Sequence, residues 1–481
     1  MTGLQRQSRF ERSDDVVVMK FGGTSVEDAA AIRRLIAIVK SRRSSQRVVV
    51  VSALARVTDQ LLESGKAAAA GHLGTSLAIV RNIYVRHEQL ADELVDGAPH
   101  GALDGELRRE FQELESLLHS LERSRQFDLR LQDHLLGFGE ALSSQLVTAV
   151  LCEAPIRAMH VDARSCIVTD ARHGQANPLW ETTNRRLQDA LGPLLESGSV
   201  PVIGGFIAST HDGIPTTLGR GGSDFSAAIV GAALGAARVE IWTDVDGIMT
   251  TDPKVCPEAR VIRKMSFDEA TELAHFGAKV LHPSTLVPAM RDNIPVYVLN
   301  SRRAEGEGTE IVARARTGNT VSAITAKRKV AAVEIQSLQG VGADVLRAVY
   351  AAFDHHACPV DVMAASLGRV WLLVGSTASL PGIAADLQGV AEMRWENHKA
   401  LVCLVGENIR RQPEVASRIF AAVSDMDVRV VCQGASDRTI SFLVEESKVD
   451  ESVRRLHGMF SPQAEPTRDW GGTSSAFCQA G

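Results

Sequence analysis

The sequence predicts an α/β protein in two parts: a mainly parallel sheet between helices over residues 15–319, and a duplicated small α/β sandwich after it. Three observations carry this. β-branched runs, Val16-Val17-Val18-Met19 and Arg47 to Val51, flank a helical stripe of Ile32, Leu35, Ile36 and Val39, the β-α-β signature of parallel strands buried on both faces. A glycine loop, Gly219-Arg220-Gly221-Gly222-Ser223-Asp224, joins the apolar run Val200 to Phe206 to a small-residue helix, Ser226 to Leu234. Finally, Ile419-Phe420-Ala421-Ala422-Val423 answers Val349-Tyr350-Ala351-Ala352-Phe353, and Gly434-Ala435-Ser436 answers Ala364-Ala365-Ser366, both at an offset of 70 positions.

The elements follow in order. The first strand delivers Lys20-Phe21-Gly22-Gly23-Thr24-Ser25 at its carboxyl end, and the second ends in Ser52-Ala53; ligands of parallel sheets bind beyond that edge. From about 58 to 152 the pattern is helical, and its last helix carries Gly137-Phe138-Gly139-Glu140. Two glycines close to a helix end imply close approach of a backbone or ligand, since each costs about 1 kcal/mol against alanine. Arg157 to Val161 and Val200 to Phe206 read as strands. Val239 to Thr243 is another, running into an Asp-Gly turn, and Ile294 to Val298 closes the sheet. In the repeat, each copy reads strand, helix, strand, turn, strand, helix, over 320–390 and 391–460. Residues 1–14 and 461–481 read as disordered ends.

A chain of 481 residues exceeds what one core supports, and its 45% hydrophobic and 23% charged content is that of a globular protein. The net charge of −6 supplies no basic footprint for nucleic acid. Seven cysteines without a CxxC pair argue against a disulfide framework or zinc site and fit a reducing cytoplasm. No signal peptide is expected at the N-terminus, and no run approaches the roughly 18 apolar residues of a membrane span. Glycines opening a helix let backbone N–H groups meet a phosphate, and an arginine, a serine and an aspartate in the same loop suit a zwitterion beside it. His275 and His282, seven apart and split by Gly277, match no ligand pair on one helix turn, so no protein-held metal is expected.

Taken together, Lys20-Phe21-Gly22-Gly23-Thr24-Ser25-Val26, Gly137 to Ser144, the 219–228 loop, Trp242-Thr243-Asp244-Val245 with Asp252-Pro253, and Gly277 to Pro283 resemble aspartate kinase of the amino acid kinase family, closest to its monofunctional lysine-sensitive type. The repeats look like its paired ferredoxin-like βαββαβ ACT regulatory domains, and the resemblance covers about 15–460. It implies transfer of a phosphoryl group from MgATP to the β-carboxylate of L-aspartate, giving 4-phospho-L-aspartate and ADP. That is the first step toward lysine, threonine and methionine through diaminopimelate. By the resemblance Lys20, Arg220 and Asp224 are catalytic. Arg220 clamps the substrate α-carboxylate, Glu140 and Asp224 lie near its ammonium group, and Ser52, Thr58 and Ser223 line its site. Lys20, Gly22, Gly23, Ser25, Gly221, Gly222, Thr243, Asp244, Met249, Lys254, Lys279 and Val280 meet the nucleotide, and Mg²⁺ arrives with it. Relatives often carry Tyr and Arg where this chain has Met249 and Lys254, which shifts ATP affinity rather than chemistry.

The ACT pair implies an amino-acid effector, lysine or threonine, with Asp361 and Ser366 at contact positions, and a homodimer or a tetramer through these domains. Lysine-sensitive relatives have Ser-Glu where this chain reads Ser366-Leu367, so weak lysine inhibition or another effector is expected. The competing enzyme reading is a kinase of glutamate or acetylglutamate. The competing non-enzyme reading is an amino-acid sensor with a dead kinase domain.

Overall fold

The computed structural model describes residues 13–42, 45–277, 281–315, 320–337, 340, 342–366, 368–433 and 436–460. The calls on Lys279, Val280, Leu367, Gly434, Ala435 and the 461–481 tail lie outside the described residues, as does 1–12 of the N-terminal segment. Ser13 and Asp14 already belong to the first strand, which therefore starts earlier than expected. The described residues form two compact units, one of 13–253, 257–315 and 325–327, the other of 254–256, 320–324 and 328–460.

In the first unit the chain runs β1 (Ser13–Phe21), α1 (Ala29–Ser41), β2 (Gln46–Val51), α2 (Val57–Ala69), α3 (Leu73–Leu94), α4 (Gly97–Ser124), α5 (Leu129–Glu153), β3 (Ala158–Val161), α6 (Ala163–Cys166), β4 (Val168–Thr169) and α7 (Trp180–Glu196). It continues through β5 (Val200–Gly204), β6 (Ile207–Thr210), β7 (Pro215–Thr217), α8 (Gly222–Leu234), β8 (Ala236–Thr243), β9 (Lys264–Ser266), α9 (Phe267–His275), α10 (Val287–Arg291), β10 (Val296–Asn300) and β11 (Thr309–Val312). Eight strands make one sheet in the order β3-β5-β2-β1-β8-β10-β11-β9. The first six are parallel neighbours, so their carboxyl ends share one edge. Val16 to Met19, Phe21 and Val48 to Val51 are all buried, as expected for strands covered on both faces.

Several expectations need correction. β10 does not close the sheet: it pairs antiparallel with β11, which pairs with β9, strands of four and three residues that give no periodicity to read. The apolar run 200–206 breaks after Gly204, because Phe206 takes a positive φ of 64° and sends the chain into β6, which joins β4 and β7 in a separate three-stranded sheet. The helix after the glycine loop begins at Gly222, not Ser226, since Gly221 at φ 72° already turns the chain into it. Gly137 and Gly139 sit in the middle of α5, not near its end. α5 is also long and apolar enough, by length and composition, to cross a membrane, but 78% of its apolar window is buried inside the protein. It lies between β2, β3 and β5 and the helices α2 to α4.

The second unit is one six-stranded sheet, β13-β14-β12-β15-β17-β16, with β12 (Ala323–Gln336), α11 (Ala343–His355), β13 (Val360–Ser366), β14 (Arg369–Val374), α12 (Leu380–Asp386), β15 (Glu392–Val405), α13 (Pro413–Ala422), β16 (Val431–Gln433), β17 (Thr439–Glu445) and α14 (Val449–Phe460). The copies share it at the centre. β14 pairs with Ala331 to Gln336 of β12 and with β13, β17 with Lys399 to Val405 of β15 and with β16, while the two 14-residue strands lie side by side.

Candidate active site

The parallel edge of the large sheet gathers the predicted loops. Lys20 sits on β1 opposite Val50 of β2 and Ile241 of β8, and its ammonium reaches Asp224, in the first turn of α8, at 2.6 Å. It is a close ion pair without hydrogen-bond alignment, and both side chains are largely buried. A carboxylate in a helix's first turn is favoured by the dipole, so Asp224 is stabilised from both sides. Just past β1, Gly22 N–H donates to Trp242 O and a side chain on Gly22 would point at Lys20 Nζ, 3.5 Å away. Gly23 O accepts from Ala55 N–H, and a Cβ on Gly23 would stand 2.9 Å from Ala53 O. Small residues here are a steric requirement: strand ends and loops cross within contact distance.

Ser25 does not offer its hydroxyl to this edge. It is buried and donates to Ser301 Oγ at 2.8 Å, which in turn donates to Thr243 O. Its hydroxyl thus ties the Gly22-Gly23 loop to the loop carrying Thr243 and Asp244. Those two residues are half-buried and exposed respectively, with the Thr243 hydroxyl donating to Asp244 Oδ1.

Glu140 is brought in by α5. A Cβ on Gly139 would stand 2.8 Å from Ala53 Cβ, and one on Gly204 3.1 Å from Glu140 O, so the helix seats directly against the ends of β2 and β5. Ser143 Oγ donates to Ser52 O and fixes that contact. Of the two glycines predicted to mark a close approach, Gly139 does so, against Ala53, whereas a Cβ on Gly137 would make only an ordinary contact with the Ile207 side chain at 3.5 Å. Burial pushes the Glu140 carboxyl up to about 8, although N–H groups of Ala53 and of Glu140 itself, and the charge of Lys20, pull it down. Its Oε2 is buried with no hydrogen-bond partner. Such an acceptor is costly unless something arrives to satisfy it.

Ser223 is buried, and a Cβ on Gly205 would meet its Cβ at 2.7 Å, which holds the start of α8 against the end of β5. Arg220 is exposed, and its charge acts on His282: burial first, and then Arg220, hold that imidazole below its ordinary value. Thr58 is the second residue of α2, half-buried, with the cap position held instead by Arg56. Met249 is half-buried and bridges to Val261. Lys254 is exposed and belongs to the second compact unit, where Asp361 is half-buried and Ser366 exposed at the end of β13.

One residue of this neighbourhood escaped the sequence reading. Asp133, wholly buried on α5, accepts from Thr217 Oγ1, Gly174 N–H and His173 Nδ1. A Cβ on Gly219 would meet Gly174 O at 3.0 Å, so Asp133 anchors the stretch on which the glycine loop rests. Its signal was a lone carboxylate four residues before Gly137 on the buried face of an apolar helix.

Comparison with known proteins gives the family. The profile of the amino acid kinase family matches residues 15–300, and an ACT domain profile matches 402–460. Lysine-sensitive aspartokinase 3 of Escherichia coli is 33% identical over 455 residues, 92% of this chain and 98% of the relative. Aspartokinase 2, chloroplastic, of Arabidopsis thaliana is 30% identical over 92% of this chain and 84% of its own length. Among solved structures, E. coli aspartokinase III in complex with aspartate and ADP superposes with a TM-score of 0.82 at 32% identity, over 92% of this chain and 99% of that one. The same enzyme in complex with lysine and aspartate gives 0.79 at 33%, over 94% and 100%. The chain belongs to the amino acid kinase family, in its aspartokinase branch with ACT domains.

Proposed function

We infer that this protein is an aspartate kinase: it transfers the γ-phosphoryl group of ATP to the β-carboxylate of L-aspartate, giving 4-phospho-L-aspartate and ADP, under control of an amino acid at the ACT domains. The observation that carries this is the convergence of Lys20, Asp224 and the buried, half-satisfied carboxylate of Glu140 at one sheet edge. The acceptor carboxylate, with a pKa of about 4, is ionised at neutral pH, so no general base is required. The barrier lies instead in bringing two anions into line. A carboxylate oxygen forms the new P–O bond while the bond to the β–γ bridging oxygen breaks and ADP leaves with the electron pair.

In this reading Lys20 neutralises the phosphoryl group in transit, with N–H groups near Gly22, Gly23, Gly221 and Gly222 around the phosphates. Arg220 takes the α-carboxylate, Glu140 and Asp224 the ammonium group, and Ser52, Thr58 and Ser223 line the space between. Thr243, Asp244, Met249, Lys254, Lys279 and Val280 serve the nucleotide, and Mg²⁺ enters with it as part of the substrate, held mostly by phosphate and water. Ser25 acts by holding its loop. A dimer formed through the ACT domains, with an effector near Asp361 and Ser366, completes the proposal.

Trapping of acyl phosphate with hydroxylamine in the presence of ATP tests it, with aspartate, glutamate and acetylglutamate offered separately. Signal with aspartate alone is expected; signal with glutamate but not aspartate would overturn the substrate.

A further inference from the structure

The first repeat copy brings three metal-ligating side chains together from two helices. His355 is the last residue of α11 and His356 caps it, while Asp386 ends α12. His355 Nδ1 and His356 Nε2 stand 3.1 and 3.0 Å from the same oxygen, Asp386 Oδ2, and one ligand atom from each residue falls within 4.8 Å of the others. Bonds of about 2.0 Å at tetrahedral angles set neighbouring donor atoms roughly 3.3 Å apart. Both imidazole-to-carboxylate spacings are therefore within a few tenths of an ångström of those around a bound ion.

Two further features favour a cation here. Asp386 occupies the last turn of its helix, the end where the dipole disfavours an anion, and α11 also directs its negative end to this place. In addition, the His356 ring packs close against Gly382 of α12: a Cβ there would come within 2.5 Å of Cε1 and 3.2 Å of Nε2. A side chain at position 382 would push the ring from this place. His355, with 74% of its side chain exposed, leaves the open side to water and entering metal.

We propose that His355, His356 and Asp386 form a site for a divalent transition metal, zinc by donor type, with water completing the coordination, so that the ion clamps the ends of α11 and α12 together. Two nitrogens and one oxygen exclude a magnesium or calcium preference, since those ions take oxygen ligands. The site is independent of the Mg²⁺ that accompanies ATP.

The test uses the full chain stripped with chelator and titrated with Zn²⁺ against a chromophoric competitor, and with Co²⁺ by its visible d–d absorption. The wild type is expected to bind one equivalent at micromolar free metal that His355→Ala and Asp386→Asn bind at least about tenfold more weakly. Both side chains are solvent-exposed, so neither variant should unfold. Gly382→Ala should weaken the same equivalent by displacing the His356 ring without removing a donor, while aspartate kinase turnover stays unchanged in all three. The proposal fails if no equivalent is bound at micromolar free metal, or if stoichiometry and affinity are the same in wild type, His355→Ala and Asp386→Asn.

Discussion

If Glu140 receives the ammonium group of aspartate, it must be ionised to do so, and burial pushes its carboxyl up to about 8. About one molecule in a hundred is ionised at pH 6 and about half at pH 8, because each pH unit below the pKa is a factor of ten, or about 1.36 kcal/mol. Below pH 8 aspartate binding therefore has to expel a proton, and the KM for aspartate should fall about fiftyfold between pH 6 and pH 8, then level off. Glu140→Gln, which keeps shape but cannot ionise, should have a KM that is flat over that range and higher than wild type at pH 8. The assay is initial-rate kinetics with saturating MgATP at each pH. The direction of the linkage also fixes stability. A carboxyl raised in the folded state stabilises most below its ordinary pKa, and that contribution is lost as the pH rises toward about 8. The empty wild type should thus lose thermal stability relative to Glu140→Gln between pH 5 and pH 8. A wild-type KM that changes less than about threefold, or an equal slope in the glutamine variant, would refute the role of Glu140.

Lys20→Ala should lower kcat by about a hundredfold or more with a small change in the KM for aspartate, whereas Arg220→Ala should raise that KM by about thirtyfold, the value of a charge-assisted pair; near-normal kinetics in both would show the roles to be misassigned. Gly139→Ala gains about 1 kcal/mol of helix propensity but forces a methyl to within 2.8 Å of Ala53 Cβ, closer than packed carbons come. Overpacking of about 1–3 kcal/mol should win, lowering the denaturation midpoint and raising the KM for aspartate; an unchanged midpoint would mean that α5 can shift. Lysine should inhibit only weakly, given Leu367 after Ser366; an inhibition curve with half-loss of activity at micromolar lysine would reject this.

The parts of the fold that could be read from residues are those where burial acts on a continuous stretch. Val16 to Met19 and Val48 to Val51 announce a two-sided sheet because every side chain in them loses water. The repeat was legible for the same reason, since α11 and α13 begin 70 positions apart, at Ala343 and Pro413. β4, β6, β7, β9 and β11 were not, because strands of two to four residues carry no period, and β4, β9 and β11 take their partners from distant parts of the chain. The site divides similarly. The glycines announced close approaches, but what approached could not be known, and the depth of Glu140 depends on Ala53 and Gly204 from other elements. That β12 and β15 lie side by side was hidden because the two strands belong to different copies, with the whole of the first copy between them.

The ion pair at the centre of the site has a consequence for the order of events. Lys20 is ion-paired with Asp224, and burial pushes the carboxyl of Glu140 nearby up to about 8. An incoming ammonium group changes both: it offers Asp224 and Glu140 a new cation, favouring the ionised form of one and loosening the hold of the other on Lys20. Nucleotide phosphate then finds a lysine with less competition from a carboxylate. Aspartate and ATP should on this account help each other to bind although both are anions overall, because the amino group of one frees the ammonium that the other needs. Glutamate, one methylene longer, could satisfy the same carboxylates but would carry its acceptor oxygen about 1.5 Å out of place relative to Lys20, which is where selectivity for aspartate would arise.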